Sequence, residues 1–92
     1  MLITYNFKVK PGTARKAAEL VEEELSNSRK AGGCEDLQIY FDEEAGTLFL
    51  YERWESQKHV DEYLAYRARE NRPNPLAEYL LESPVRRTFD NF

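Results

Sequence analysis

Thr47-Leu48-Phe49-Leu50-Tyr51-Glu52-Arg53-Trp54, followed at once by Glu55-Ser56, is the stretch whose reading decides the fold. Two-residue alternation puts Leu48, Leu50, Glu52 and Trp54 on one side of a strand, and Thr47, Phe49, Tyr51 and Arg53 on the other. Apolar side chains stand on both sides, so the strand belongs to a sheet that is covered on both faces. A layer of helices supplies one cover. The other needs a partner, because a chain of 92 residues has little material left to provide it. Ser56 is a good N-cap residue, so a helix follows the strand directly.

Upstream, Asp42-Glu43-Glu44-Ala45-Gly46 reads as the connection of a hairpin, polar and with glycine near its end. Before it, Leu37, Ile39 and Phe41 alternate with Gln38, Tyr40 and Asp42 as a second strand. Gly32-Gly33 closes the preceding helix in the manner of a left-handed cap. Within that helix Ala14, Ala17, Ala18, Val21 and Leu25 recur at three- and four-residue steps, opposite Arg15, Lys16, Glu19, Glu22 and Glu23. The small alanines predict close approach to the sheet. Lys10-Pro11-Gly12 breaks the chain ahead of the helix, and Thr13 is its expected cap. The first strand runs from Leu2 to Val9, with Ile3, Tyr5, Phe7 and Val9 on one face.

Downstream of Ser56, a second helix carries Val60, Tyr63, Leu64 and Arg67 along one stripe. The Asn71-Arg72-Pro73-Asn74-Pro75 cluster ends it, since prolines remove donors and disfavour the helical region before them. Leu76 to Leu81 is expected to add a further turn or two of helix. Pro84 then opens a last strand, Val85 to Phe89, with Val85, Arg87 and Phe89 sharing a face. The order β-α-β-β-α-β is the α+β, ferredoxin-like plan with an antiparallel sheet. Residues 1–92 read as one domain.

A net charge of −4, from 13 Lys+Arg against 17 Asp+Glu, opposes a polyanion, and no basic stripe with interleaved aromatics is present. Nucleic acid is therefore excluded as a partner. Apolar runs such as Leu48-Phe49-Leu50-Tyr51 are far short of the roughly 20 residues that cross a bilayer, and Met1 leads straight into a strand. The expectation is a cytoplasmic protein with no membrane association. Cys34, the only cysteine, forms no intramolecular disulfide and reads as a buried free thiol. A chain this short buries a modest share of its surface, and oligomerisation is the expected supplement.

Phosphate-loop, GxGxxG, CxxC, HExxH and GxSxG motifs are all missing, which removes support for nucleotide, zinc and serine-hydrolase chemistry. A single histidine, His59, rules out a multi-histidine metal site, and its place early in a helix favours a surface role. The acidic Asp42-Glu43-Glu44 run reads as a solvated loop. Glu52 points into the helix-covered side beside Trp54, where a carboxylate must be paired, protonated or near water; pairing with an arginine is the expectation, and a general base is the alternative. Tyr5, Trp54 and Tyr63 come from the first strand, the third strand and the second helix, and all three face the same layer. Periodicity alone favours plain core packing for them. A pocket for a flat, apolar ligand, with two phenols and the indole N–H as polar anchors, stands as the alternative.

Taken together, Val9-Lys10-Pro11-Gly12, Gly33-Cys34 and Tyr51-Glu52-Arg53-Trp54-Glu55-Ser56, in this order and spacing, resemble the antibiotic biosynthesis monooxygenase domain family. The resemblance implies a protomer whose sheet pairs with a second copy in a dimeric α+β barrel, which would cover the second face. It also implies oxygenation of electron-rich aromatic substrates, often without metal or flavin, in a cavity between sheet and helices. Trp54 corresponds to a tryptophan that lines this cavity in some members. Tyr63 stands where many members carry a histidine, and Leu50 where polyketide-oxidising members place an asparagine. In the haem-degrading branch the strand-one asparagine would fall on Tyr5 and the axial histidine near Pro73, so haem degradation is rejected. What remains is an oxidoreductase of monooxygenase type without cofactor or metal, acting on a quinol or polycyclic phenol. In it Trp54 positions the rings, and Tyr63 and Tyr5 bond the substrate oxygens. The alternative is a non-catalytic homodimer that binds a small aromatic ligand.

Overall fold

The strand Thr47–Trp54 lies inside the sheet. In the computed structural model, which describes residues 1–92, the chain runs β1 (Leu2–Lys8), α1 (Ala14–Glu24), a 3-10 segment (Leu25–Lys30), β2 (Cys34–Asp42), β3 (Thr47–Trp54), α2 (Gln57–Glu70) and β4 (Val85–Phe89). The strands bond in the order β2-β3-β1-β4, antiparallel throughout, which is the ferredoxin-like arrangement expected from the alternation. Both helices lie on one face. There α1 buries Ala14, Ala17, Ala18 and Val21 against Phe7, Leu37, Leu48 and Leu50, and the alanines let its backbone come close to the strands. A smaller cluster of Ile3, Trp54 and Val60 joins α2 to the sheet.

The opposite face carries Tyr40, Phe49, Val85 and Phe89, all exposed. Tyr40 lies opposite Phe49 across β2 and β3, and Phe89 lies opposite Leu2 across β4 and β1. The two-sided apolar pattern of β3 is thus real, and within one chain only its helix side is covered.

Several local expectations are revised. Thr13 sits at the start of α1, but its hydroxyl donates back to the Lys10 carbonyl at 2.6 Å and caps nothing. Glu43, from the acidic hairpin, accepts from the Arg15 backbone N–H at 2.7 Å instead, so a loop read as merely solvated satisfies the helix terminus. The first helix ends at Glu24 and tightens into the 3-10 segment, well before Gly32-Gly33. Gly33 serves another purpose: at φ +89 it lies against the His59 ring, where an added Cβ would come within 2.3 Å of Cγ. At the far end of α2, Asn71 adopts the left-handed conformation (φ 49) and stops the helix before the prolines are reached. Leu76 to Leu81 forms turns and no helix, held by Tyr79 and Leu80 N–H bonds to the Leu76 carbonyl. Leu80 then bridges to Val9, which lies just beyond β1.

Candidate active site

Ser56 accepts from the His59 N–H, and Val60 is buried beneath the same turn, so the N-terminal end of α2 is held to the sheet. Farther along, Tyr63 and Arg67 are only half-buried and Leu64 is 46% exposed. The helix leaves a cleft of about 490 Å³ over β1 and β3, within the about 300–1,000 Å³ usual for small-molecule sites. Tyr5, Trp54 and Tyr63 all line it, which brings together the three residues singled out from their facing.

Trp54 is the most deeply buried of the residues that line the cleft. It is 1% exposed, and its ring lies 5.5 Å from that of Tyr63 at a tilt of 37°. Its indole N–H is already committed, because Nε1 donates to Glu52 Oε1 at 3.1 Å. The expected indole anchor for a ligand is therefore engaged within the protein. The expected pairing of Glu52 with an arginine is also absent: no cation stands within salt-bridge distance of it. Glu52 is 7% exposed and lines the cleft. Burial pushes its carboxyl pKa up, opposed by the Trp54 N–H bond and by the charges of Arg86 and Arg67.

The other polar groups are held from the rim. Tyr63 shares a hydrogen bond with the buried Ser28 hydroxyl and accepts from Arg67 Nη1 at 3.0 Å. Arg67 Nη2 continues to Glu24 at 3.0 Å, tying α2 to the end of α1. These bonds fix the Tyr63 ring and engage its hydroxyl within the protein. Arg86 comes from β4 opposite Tyr5 and donates through Nε to the Tyr5 hydroxyl at 3.3 Å. It lines the cleft and has no carboxylate partner. Sequence reading missed Arg86. Its alternation with Val85 and Arg87 puts it on the helix side, but only the β1–β4 pairing sets it beside Tyr5.

His59 lies outside the cleft. Its Nδ1 bonds Ser56 Oγ at 2.8 Å and Nε2 lies 3.8 Å from Glu55, so it belongs to the helix start. Cys34, expected to be buried, is half-buried; what burial it has raises the thiol pKa, and the neighbouring Glu52 adds to the rise. No group of three His, Cys, Asp or Glu side chains is placed to hold a metal ion. No helix is long and apolar enough to cross a membrane.

Sheet order, helix placement and cleft define a ferredoxin-like α+β domain with a ligand-sized space between sheet and second helix. The chain belongs to the antibiotic biosynthesis monooxygenase family, which matches it over residues 1–70. None of the curated proteins matches the chain in sequence. Among solved structures, Rv0793 from Mycobacterium tuberculosis is 22% identical, with 99% of this chain and 93% of that one aligned at a TM-score of 0.74. An antibiotic biosynthesis monooxygenase is 16% identical over 100% and 99% of the two chains, at a TM-score of 0.76. L-rhamnose mutarotase FA22100 from Formosa agariphila is 19% identical over 100% and 95%, at a TM-score of 0.57. At these identities the likeness shows the fold. A fold hosts many chemistries, so the site must decide between them.

Proposed function

We propose that the protein is a cofactor-independent monooxygenase that oxidises a quinol or polycyclic phenol with O2. One observation carries the reading: in a member of this family, a cleft of about 490 Å³ is lined mainly by apolar side chains, with Tyr5, Phe7, Trp54 and Tyr63 among them and Glu52, Arg67 and Arg86 as charged groups beside them. The cleft suits a flat ring system, and its apolar walls exclude water from a reactive anion. In this reading Trp54 backs the rings, and Tyr5 and Tyr63, which line the same cleft, bond the substrate's oxygens. An electron-rich substrate supplies the reducing power itself. When an anthrone methylene becomes a carbonyl, the carbon gains one atom of O2, and its two hydrogens leave with the other atom as water. All four electrons come from the substrate.

The same reading makes the protein a homodimer through the open sheet face, where Tyr40, Phe49, Val85 and Phe89 stand in water in the lone chain. Sedimentation at micromolar concentration should return twice the 10.8 kDa subunit mass; a subunit-sized species would overturn the pairing. For the activity, aerobic and anaerobic incubations with a panel of hydroquinones and anthrones should show protein-dependent oxygen uptake. Absence of uptake across the panel, with Trp54 fluorescence still quenched by the same compounds, selects the non-catalytic aromatic-binding alternative.

A further inference from the structure

We infer that Glu52 is the group that takes the phenolic proton from a substrate in the cleft, with the Arg86 guanidinium at the mouth facing the oxyanion so formed. The inference rests on the oxygenase reading of the cleft and adds to it the residue that starts the reaction. Among the residues lining the cleft, Glu52 is the carboxylate closed off from bulk water, and its two oxygens are in different situations. One accepts the Trp54 indole N–H, which fixes the carboxylate plane. The other has no protein partner. Every side-chain oxygen that is fully shut away in this protein is hydrogen-bonded, so the unpartnered one keeps some access to solvent, in a residue that lines the cleft.

Elsewhere in the fold, the half-buried Asp36 has both oxygens taken up by the Leu37 N–H, the Gln38 amide and the Tyr51 hydroxyl, and the half-buried Glu24 meets cations, Arg67 and Arg72. Glu52 meets none at contact distance. A structural carboxylate would be paired; one that must gain and lose a proton is better left with a free oxygen. The charged and titratable groups around it are Arg67 and Tyr63 from α2, Arg86 from β4, Glu24 from α1, Tyr5 from β1 and Cys34 from β2. The two arginines oppose the effect of burial from a distance. Burial still prevails and raises the carboxyl, narrowing the gap to a phenol. In the step itself the substrate O–H bond breaks, an O–H bond forms at the free Glu52 oxygen, and the electron pair stays on the substrate. Glu52 returns that proton to the phenolic oxygen once the carbonyl has formed, the water carries the two methylene hydrogens, and Glu52 ends the cycle as it began.

Glu52→Gln keeps an oxygen for the Trp54 N–H and removes the base; unchanged far-UV circular dichroism and Trp54 fluorescence will verify its fold. Two readouts separate this inference from the oxygenase reading. The first needs no turnover: 2-hydroxyanthraquinone, which has no methylene to oxidise, is titrated into the protein below its own ionisation point. The wild type should bring up the phenolate absorption band without releasing protons to the buffer, and Glu52→Gln should bind the dye but lose the band. A band that persists in Glu52→Gln, a dye that stays neutral on the wild type, or a dye that does not bind it at all overturns the inference. The second readout is oxygen uptake with an anthrone. Glu52→Gln should lower kcat/KM by about 100-fold or more and flatten the acid limb of the pH profile. Uptake unchanged in Glu52→Gln overturns the inference and leaves the oxygenase standing. The band without any wild-type uptake supports the inference as to Glu52 and overturns the oxygenase.

Discussion

The two helices cover the same sheet face in opposite ways. In α1, four of 11 residues are buried, three of them alanines, and the helix lies flush on the strands. In α2 only Val60 of 14 residues is buried, and the helix is held mainly through its first turn. The first contact is a core, the second a hinge of packing with space beyond it. Small side chains on α1 close the layer; Tyr63, Leu64 and Arg67 on α2 line the open space beneath it. The difference teaches that this fold places its stability under one helix and its candidate chemistry under the other.

The comparison can be broken most directly in the closed half. Leu48→Ala removes a fully buried side chain beneath α1 and should cost about 3 kcal/mol in urea unfolding. A cost below about 1 kcal/mol would mean that the α1 layer is as loose as the other.

Next in size is the anchor of α2. Gly33→Ala puts a Cβ into the His59 ring at a left-handed backbone position, with an expected loss of about 2 kcal/mol. Adding His59→Ala should recover the steric part of that loss and leave the backbone part. If the double variant is no more stable than Gly33→Ala alone, the contact of Gly33, just ahead of β2, with the His59 ring of α2 is not what pins the helix.

Leu64→Ala, in the lining of that open space, should change stability by no more than about 0.5 kcal/mol while weakening binding of a flat aromatic ligand, measured by Trp54 quenching. At the end of the scale the sign reverses. The carboxyl of Glu52 is raised in the folded state above its ordinary 4.5, so the folded protein holds that proton more tightly than the unfolded chain does. Stability contributed by Glu52 is therefore greatest in acid and falls as pH rises from the ordinary value through the raised one. Glu52→Gln should melt higher than the wild type at pH 7, and the gap should close as pH drops toward 4.5. A gap that grows in acid would show the Glu52 charge to be stabilising, with a paired, structural role.

Much of this architecture was legible beforehand because it follows from periodicity. The limits of β3 and β4, the alanine face of α1 and the shared layer of Tyr5, Trp54 and Tyr63 all come from alternation and helical steps, which fix facing within an element. Caps and turns were read less well. Thr13, Gly32-Gly33 and Leu76 to Leu81 each offered a local solution that longer-range contacts replaced, as when Glu43 crossed from the hairpin to the start of α1. The candidate site was half legible. Its aromatic walls show in the sequence, but alternation within β3 and β4 does not say whether an arginine reaches Glu52 or that Arg86 stands beside Tyr5.

From the chain alone came the order of elements, the two-sided apolar character of β3 and the likeness to the antibiotic biosynthesis monooxygenase family, because all are carried by residue type and spacing. Only the tertiary structure decided that α2 stands away from the sheet, that the Trp54 indole is spent on Glu52 rather than on a ligand, and that Arg86 arrives beside Tyr5. Those features depend on distances between elements and on strand register. Both are set by how side-chain volumes fill the layer from every element at once, and no single segment encodes that sum.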